Sequence, residues 1–125
     1  MNKTKEEIGV FLSELRDAVR IGRYQISARP KNIELHFDYM FDYEVAKNIL
    51  LDLKAEDFSA CVRNEHPQYR NELLYIFGKE IRLEKRAEDT AEIVPLYIKI
   101  NKAENGQYII ISLHKQEYPL VYSFK

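Results

Sequence analysis

The stretch LYIKINKAENGQYIIISLH, residues 96–114, decides the fold of this chain. Two runs of alternating apolar residues flank the dipeptide Asn105-Gly106. Asn-Gly between such runs is the strongest short-range signal for a β-hairpin, because both residues tolerate the positive φ angles of a type I′ turn. If these two residues form the loop, the numbers of each facing pair sum to 211. The pairs at the far end of the hairpin are then Tyr97 with His114 and Lys99 with Ser112.

This register predicts two chemically different faces, because a slip by one residue would turn every side chain over. The apolar face carries Ile98, Ile100, Ile109, Ile111 and Leu113. The other face carries Tyr97, Lys99, Ile110, Ser112 and His114. Directly opposed Cβ atoms lie about 4.5 to 5.5 Å apart, so a phenol, an ammonium, a hydroxyl and an imidazole converge on one patch that suits a phosphodiester. A plain solvated sheet face gives the same pattern, and the pattern leaves both interpretations open.

The first half of the chain carries helical signals. Thr4 followed by Glu7 fits a capping box, and apolar residues at helical spacing then predict a first helix of about 17 residues. Residues 31–41 fit a strand as well as a helix, and Pro30 at a helical N1 position favours the helix. Asp42 is typical of the N-cap of a further helix.

The second half is typical of strands, with short runs rich in Ile, Tyr and Phe between turn signals. The expected strands cover residues 58–63, 73–83, 96–102 and 107–114. Helices followed by strands indicate an α+β fold, with the helices packed on one face of an antiparallel sheet of three to four strands. We expect one domain over residues 1–125, mainly helical in residues 1–55 and a sheet in residues 56–125.

Composition restricts the class of protein. The 125 residues include 19 Lys and Arg against 20 Asp and Glu, which argues against a domain held mainly by nonspecific phosphate contacts. Residues 62–125 are marginally basic, with 10 Lys and Arg against 9 Asp and Glu, so local contacts to RNA through a few placed cations remain compatible. One cysteine, Cys61, cannot form an internal disulfide, and the sequence pattern leads us to expect neither an apolar leader nor a membrane span. We therefore expect a cytoplasmic protein without a membrane partner.

Three motifs, in this order, carry a resemblance to a known family: ELLYIFGKEI at residues 72–81, PLYIKI at 95–100 and YIIISLHKQEYPLVYSFK at 108–125. The chain resembles the bacterial toxins of the MqsR (motility quorum-sensing regulator) family over roughly residues 41–125. The resemblance implies a fold related to the RelE-type endoribonucleases. It also implies a ribosome-independent mRNA interferase of a type II toxin-antitoxin system, with mRNA as substrate and a cognate antitoxin protein as partner.

The resemblance also implies candidate catalytic residues. Tyr97 stands where the family has a functional tyrosine in its VYLKI strand, and His114 stands where better-known members have a lysine in VSFK. Lys79 falls near the position of the family glutamine. The expected phosphate- or RNA-binding residues are Lys99, Ser112, Lys115 and Arg63.

The chemistry of these residue types fits RNA cleavage. An imidazole such as that of His114 serves as acid or base near neutral pH, and Tyr97 donates to a phosphate oxygen or stacks on a base. With one cysteine and three dispersed histidines, no zinc site is expected, and no organic cofactor is indicated. Two alternatives remain open from the sequence: a protein-interaction domain without enzymatic activity, and an RNA-binding regulator.

Overall fold

The computed structural model describes all 125 residues of the chain. Three α-helices lie in the first half of the chain. They span Lys5–Arg20 (α1), Pro30–Asp38 (α2) and Tyr43–Leu51 (α3). The predicted caps are confirmed, since Thr4 and Glu7 form a capping box and the Asp42 side chain accepts from the backbone N–H of Val45. Residues 30–38, which fitted either element, are helical with Pro30 at the first position. No helix combines the length and the apolar character needed to cross a membrane.

Five strands form one sheet in the order β1-β5-β4-β3-β2. They span Tyr24–Ile26 (β1), Phe58–Arg63 (β2), Leu73–Glu84 (β3), Ala91–Lys102 (β4) and Tyr108–Lys115 (β5). The α+β class and the order of helices before the sheet are confirmed. The expectation of three to four antiparallel strands is corrected, because the short segment after α1 adds a fifth strand at the edge, parallel to β5.

The turn of the β4–β5 hairpin differs from the prediction. The backbone N–H of Gly106 donates to the carbonyl of Ala103 at 2.9 Å, and the N–H of Ala103 donates to the carbonyl of Gln107 at 2.8 Å. The loop therefore contains three residues, 104–106, and only Gly106 has a positive φ angle, 83°. This is the type I turn followed by a left-handed residue. The predicted type I′ turn is wrong because Asn105 keeps a negative φ.

A β-bulge in β5 compensates for the longer loop. Lys99 pairs with Ser112 and Ile100 pairs with Ile110, so Ile111 has no partner on β4. Near the turn the pair numbers sum to 210, and beyond the bulge they sum to 211 as predicted. Tyr97 therefore faces His114 as expected. Between the bulge and the turn the predicted faces are reversed, so that Tyr108 and Ile110 are buried and Ile109 and Ile111 are only half-buried.

Gly106→Ala is expected to destabilise the protein by about 1 to 2 kcal/mol, because an L-residue with a side chain is strained in the left-handed region. Asn105→Asp retains the side-chain acceptor that binds the N–H of Gln107 at 2.9 Å, and we expect a change within about 0.5 kcal/mol. Urea unfolding of both variants measures the difference. Equal losses from both substitutions would contradict the observed turn.

The helices cover one face of the sheet and leave the other face open. Phe11 of α1 stacks on Tyr75 of β3 with ring centroids 3.9 Å apart, and the continuous core includes residues of all three helices. The chain after β5 crosses the open face to reach β2. There the Ser59 hydroxyl donates to the carbonyl of Val121 at 2.7 Å, and the N–H of Ser123 donates to the carbonyl of Phe58 at 3.1 Å. We call residues 116–125 the C-terminal tail.

Candidate functional site

A cavity of about 570 Å³ opens on the uncovered face of the sheet. Its floor is formed by β4 and β5, and its walls are formed by the start of α2 and the beginning of the C-terminal tail. The lining is mostly polar and consists of Arg29, Pro30, Lys31, Asn32, Tyr97, Lys99, Ser112, His114, Glu117 and Tyr118. We call this cavity the sheet-face pocket.

The buried Asn32 fixes the start of α2 beside the pocket. β1 ends at Ile26 while β5 continues, which would leave edge groups of β5 without partners. The Asn32 side chain replaces the missing strand: its Oδ1 accepts from the N–H of Leu113 at 2.9 Å, and its Nδ2 donates to the carbonyl of Ile111 at 3.1 Å. Nδ2 also donates to the carbonyl of Ser27 at 2.8 Å. Because a buried amide with three bonds has one orientation, α2 is held against the sheet edge.

Positive charge surrounds the pocket. Arg29, Lys31 and Lys99 all line it, and so does the first turn of α2, whose N-cap makes no side-chain hydrogen bond. Lys99 takes part in no ion pair, whereas Lys31 is paired with Glu117. Helix N-termini and unpaired cations both favour anions. The pocket therefore suits a negatively charged group.

Tyr97 and His114 face each other across β4 and β5, as the sequence predicted. Their rings are stacked with centroids 5.3 Å apart and planes inclined by 16°. The His114 Nδ1 atom lies 2.7 Å from the carbonyl oxygen of Lys115. Because a carbonyl oxygen only accepts, Nδ1 carries the hydrogen of this bond. In the neutral ring Nε2 is then the unprotonated nitrogen, free to accept a proton from a bound molecule.

Partial burial perturbs two of these groups. Burial raises the pKa of Tyr97, and the neighbouring Tyr118 adds to the rise. Tyr97 therefore remains a neutral hydrogen-bond donor throughout the physiological range. Burial lowers the pKa of Lys99, and the nearby Arg29 charge lowers it further. In Glu117, the hydrogen bond and charge of Lys31 lower the pKa of the carboxyl.

The Lys99 ammonium is expected to lose its proton at a lower pH than an ordinary lysine, whose pKa is about 10.4. Arg29→Gln removes one of the two causes, so the pKa should rise but remain below the ordinary value because burial persists. NMR titration of the lysine side chain measures both values. An unchanged pKa in Arg29→Gln would contradict the proximity of the two cations in the pocket.

The C-terminal tail packs closely against Gly78 of β3 on the open face of the sheet. Gly78, Tyr97 and His114 form one row across three strands. A Cβ atom at position 78 would lie 2.7 Å from Leu120 Cδ1 and would also meet the Tyr122 hydroxyl. Gln116 Nε2 donates to the carbonyl of Leu96 at 3.0 Å, which ties the tail down where it begins. Because Gly78 has no side chain, the tail can cross the sheet at this position.

Four of the seven predicted site residues meet in the pocket: Tyr97, Lys99, Ser112 and His114. The other three lie on the helix-covered side of the sheet. Lys79 pairs with Leu96 and binds Asp52 and Asp57 at 3.3 Å. Lys115 lies 3.7 Å from a Glu92 oxygen and 5.0 Å from the centre of the Tyr39 ring. Arg63, on the edge strand β2, donates to the carbonyl of Arg70 at 3.1 Å.

Strand alternation explains why these three residues are separated from the site. Lys79 lies two residues after Phe77, and Lys115 lies two residues after Leu113. Arg63 likewise lies two residues after Cys61. Phe77, Leu113 and Cys61 are all buried in the core, and residues two apart on a strand lie on the same face. The placement of Lys79, Lys115 and Arg63 in the site is therefore corrected. Conversely, no role was predicted for five residues that line the pocket: Arg29, Lys31, Asn32, Glu117 and Tyr118. Pro30 predicted where α2 begins, but not that this end would lie beside β5.

The pocket brings together the groups needed to bind and rearrange a phosphodiester: cations for the phosphate charge, hydroxyl donors, and an imidazole with one free nitrogen. No three His, Cys, Asp or Glu side chains lie close enough to hold a metal ion. A comparison with protein-family models gives no match, and a comparison with curated proteins gives no significant match.

Proposed function

We propose that this protein is an endoribonuclease that cleaves mRNA in the cytoplasm, acting as the toxin of a type II toxin-antitoxin system and neutralised by a cognate antitoxin. The observation that carries the proposal is the sheet-face pocket, in which Tyr97 faces His114 and Lys99 lies on the same strand face as Tyr97, beside the first turn of α2. The resemblance of three ordered motifs to the MqsR family supports the assignment to toxins.

In the proposed reaction the scissile phosphate lies over Lys99, with its oxygens bound by the Lys99 ammonium and the Tyr97 hydroxyl. The Nε2 atom of His114 accepts the proton of the ribose 2′-hydroxyl. The 2′ oxygen then bonds to phosphorus as the bond to the 5′ oxygen breaks, and water supplies the proton that the leaving oxygen takes up. The products are a 2′,3′-cyclic phosphate and a 5′-hydroxyl end, and the imidazolium returns its proton to solvent.

Burial of Lys99 strengthens this arrangement. In a partly buried site the interaction between an ammonium and a phosphate is stronger than in water, because the effective dielectric constant is lower. The pKa of Lys99 is lowered by burial and by Arg29, and an anion placed between the two cations relieves their repulsion. The negative charge of a bound phosphodiester therefore complements the two positive charges of Lys99 and Arg29.

The test is cleavage of an end-labelled single-stranded RNA by the purified protein, with identification of the new termini. Lys99→Met and Tyr97→Phe should each reduce the cleavage rate by about 10²-fold, as expected for losing one preorganised donor to developing charge. Lys102→Met is the matched control, because Lys102 lies on the same strand but binds Glu14 of α1 at 3.3 Å. It should leave the rate unchanged.

Different results would select another function. RNA that binds in the pocket but remains intact at high protein concentration, with no growth arrest on expression, would identify an RNA-binding regulator. Absence of both binding and cleavage would leave a protein-interaction domain. Cleavage that is equally sensitive to Lys102→Met and Lys99→Met would remove the pocket from the reaction.

A further inference from the structure

A second cavity, of about 210 Å³, lies between β1, α2 and α3. Seven of its ten lining residues are hydrophobic, among them Ile26, Ile33, Phe41 and Leu113. It shares only Asn32 with the sheet-face pocket. Its lining is thus suited to an apolar side chain, and RNA cleavage makes no use of it.

The cavity lies beside the free edge of the sheet. The carbonyl of Arg23 accepts from the N–H of Tyr108 at 3.1 Å, and the N–H of Ser27 donates to the carbonyl of Ile110 at 3.0 Å. In a parallel pair alternate residues bond to the neighbouring strand, so the main-chain groups of Tyr24 and Ile26 point away from β5. β1 is the first strand in the sheet order, so no other strand pairs with it on this side. Unpaired edges of this kind accept a further strand.

Exposed apolar side chains surround the cavity. Ile33 of α2 and Tyr43 at the start of α3 both line it, and they are 38% and 58% exposed. Single exposed apolar residues are ordinary, but a cluster beside a cavity marks an interaction surface. An added strand would cover this cluster with every second side chain.

The opposite side of β1 is positively charged. Because strand side chains alternate, Arg23 and Gln25 lie on the other side from the half-buried Ile26, and all three are placed along the same edge. Arg29 follows on that side, where it lines the sheet-face pocket. The two faces of an added strand would therefore meet different chemistry, apolar on one side and cationic on the other.

We propose that the free edge of β1 and the adjacent apolar cavity form a docking site for an extended segment of a partner protein in which apolar and acidic residues alternate. The backbone of the segment pairs with Tyr24 and Ile26. One apolar side chain enters the cavity, and the acidic side chains face Arg23 and Arg29. Main-chain pairing supplies affinity, and the cavity and the cations supply specificity, as in other strand-addition complexes.

The test uses the isotope-labelled full chain and a short synthetic peptide of alternating Leu and Glu with blocked ends. NMR shifts are expected at the amides of β1 and at Ile33 and Tyr43. Two N-methylated versions of the peptide are also made. One carries backbone N-methyl groups at its odd-numbered residues, and the other carries them at its even-numbered residues. Because only one parity pairs with β1, one version should bind at least about tenfold more weakly, and the other should retain most of its affinity.

Two variants locate the site. Ala28 is exposed and lines the cavity, so Ala28→Glu should weaken peptide binding by at least about tenfold through repulsion of the acidic segment. Ala87→Glu, at an exposed alanine of the β3–β4 connection, is the control and should not change it. Four results would each overturn the proposal. Both N-methylated peptides could bind equally well, or a scrambled peptide could bind as well as the alternating one. A helical peptide could bind better, or the protein could form a dimer through β1 that the peptide does not dissociate. RNA cleavage is not measured, so the outcome is independent of the proposed activity.

Discussion

Replacing His114 with alanine is expected to reduce RNA cleavage by about 10²- to 10⁴-fold, the usual contribution of a positioned general base. The imidazole is fixed from two sides, by the carbonyl of Lys115 at 2.7 Å and by the stacked Tyr97 ring. The ring held in this way lines the sheet-face pocket. A 2′-hydroxyl bound there loses its only positioned neutral base in the variant, while Lys99 still binds the phosphate. RNA affinity should therefore change much less than the rate.

Lys115→Ala provides the matched comparison, because Lys115 is the next residue along β5 but lies on the helix-covered side beside Tyr39 and Glu92. Its cleavage rate should remain within about twofold of the wild type, since surface substitutions away from a site have small effects. Single-turnover rates and RNA affinity are measured for both variants, with circular dichroism to confirm folding. A fully active His114→Ala protein would remove His114 from the proposed reaction.

Replacing Gly78 with leucine is expected to detach the C-terminal tail from the sheet. The new side chain would occupy the space of Leu120 and Tyr122, and overpacking of this kind costs about 1 to 3 kcal/mol. Because Glu117 and Tyr118 line the pocket from the same tail, its wall would be disturbed as well. We expect lower stability in urea, faster amide exchange at Ser123, whose N–H is bound to the carbonyl of Phe58, and slower RNA cleavage.

Gly9 supplies the control for this substitution. It lies on the exposed side of α1, where an added Cβ meets no atom within 4 Å. Gly9→Leu should therefore stabilise the protein by about 0.5 to 1 kcal/mol, since glycine is unfavourable within a helix. If Gly78→Leu leaves exchange at Ser123 unchanged, the tail does not depend on the glycine, and the proposed role of Gly78 fails.

Local signals in the sequence predicted most elements of the fold. Thr4, Pro30 and Asp42 each stand at the start of a helix in the structure, because capping depends on a few neighbouring residues. The strand β1 was not predicted as part of the sheet, since three residues carry no periodicity and its pairing partner lies more than eighty residues away. Long-range pairing of short segments is set by packing, and no local pattern records it.

The candidate site was predictable where it depends on one hairpin. Tyr97, Lys99, Ser112 and His114 follow from cross-strand register alone. Lys79 was misplaced because the register between β3 and β4 is not fixed by a short turn. Arg29 and Lys31 could not be predicted, because their position depends on the Asn32 amide replacing a strand at the edge of β5.

The unpaired Ile111 makes the hairpin sensitive to changes in chain length in a particular way. Compared with a two-residue loop, the three-residue loop shifts the pairing register of β5 by one residue, and the bulge shifts it back by one. The two shifts cancel before the pair of Tyr97 and His114. Deleting Ile111 alone would remove the bulge and leave Tyr97 facing His114, because Ser112 would then follow Ile110 directly while keeping its pairing with Lys99. Deleting a residue between the bulge and His114 would instead turn the imidazole into the hydrophobic core. In related chains, insertions and deletions in this hairpin should therefore occur in the loop or at the bulge, and not between the bulge and His114.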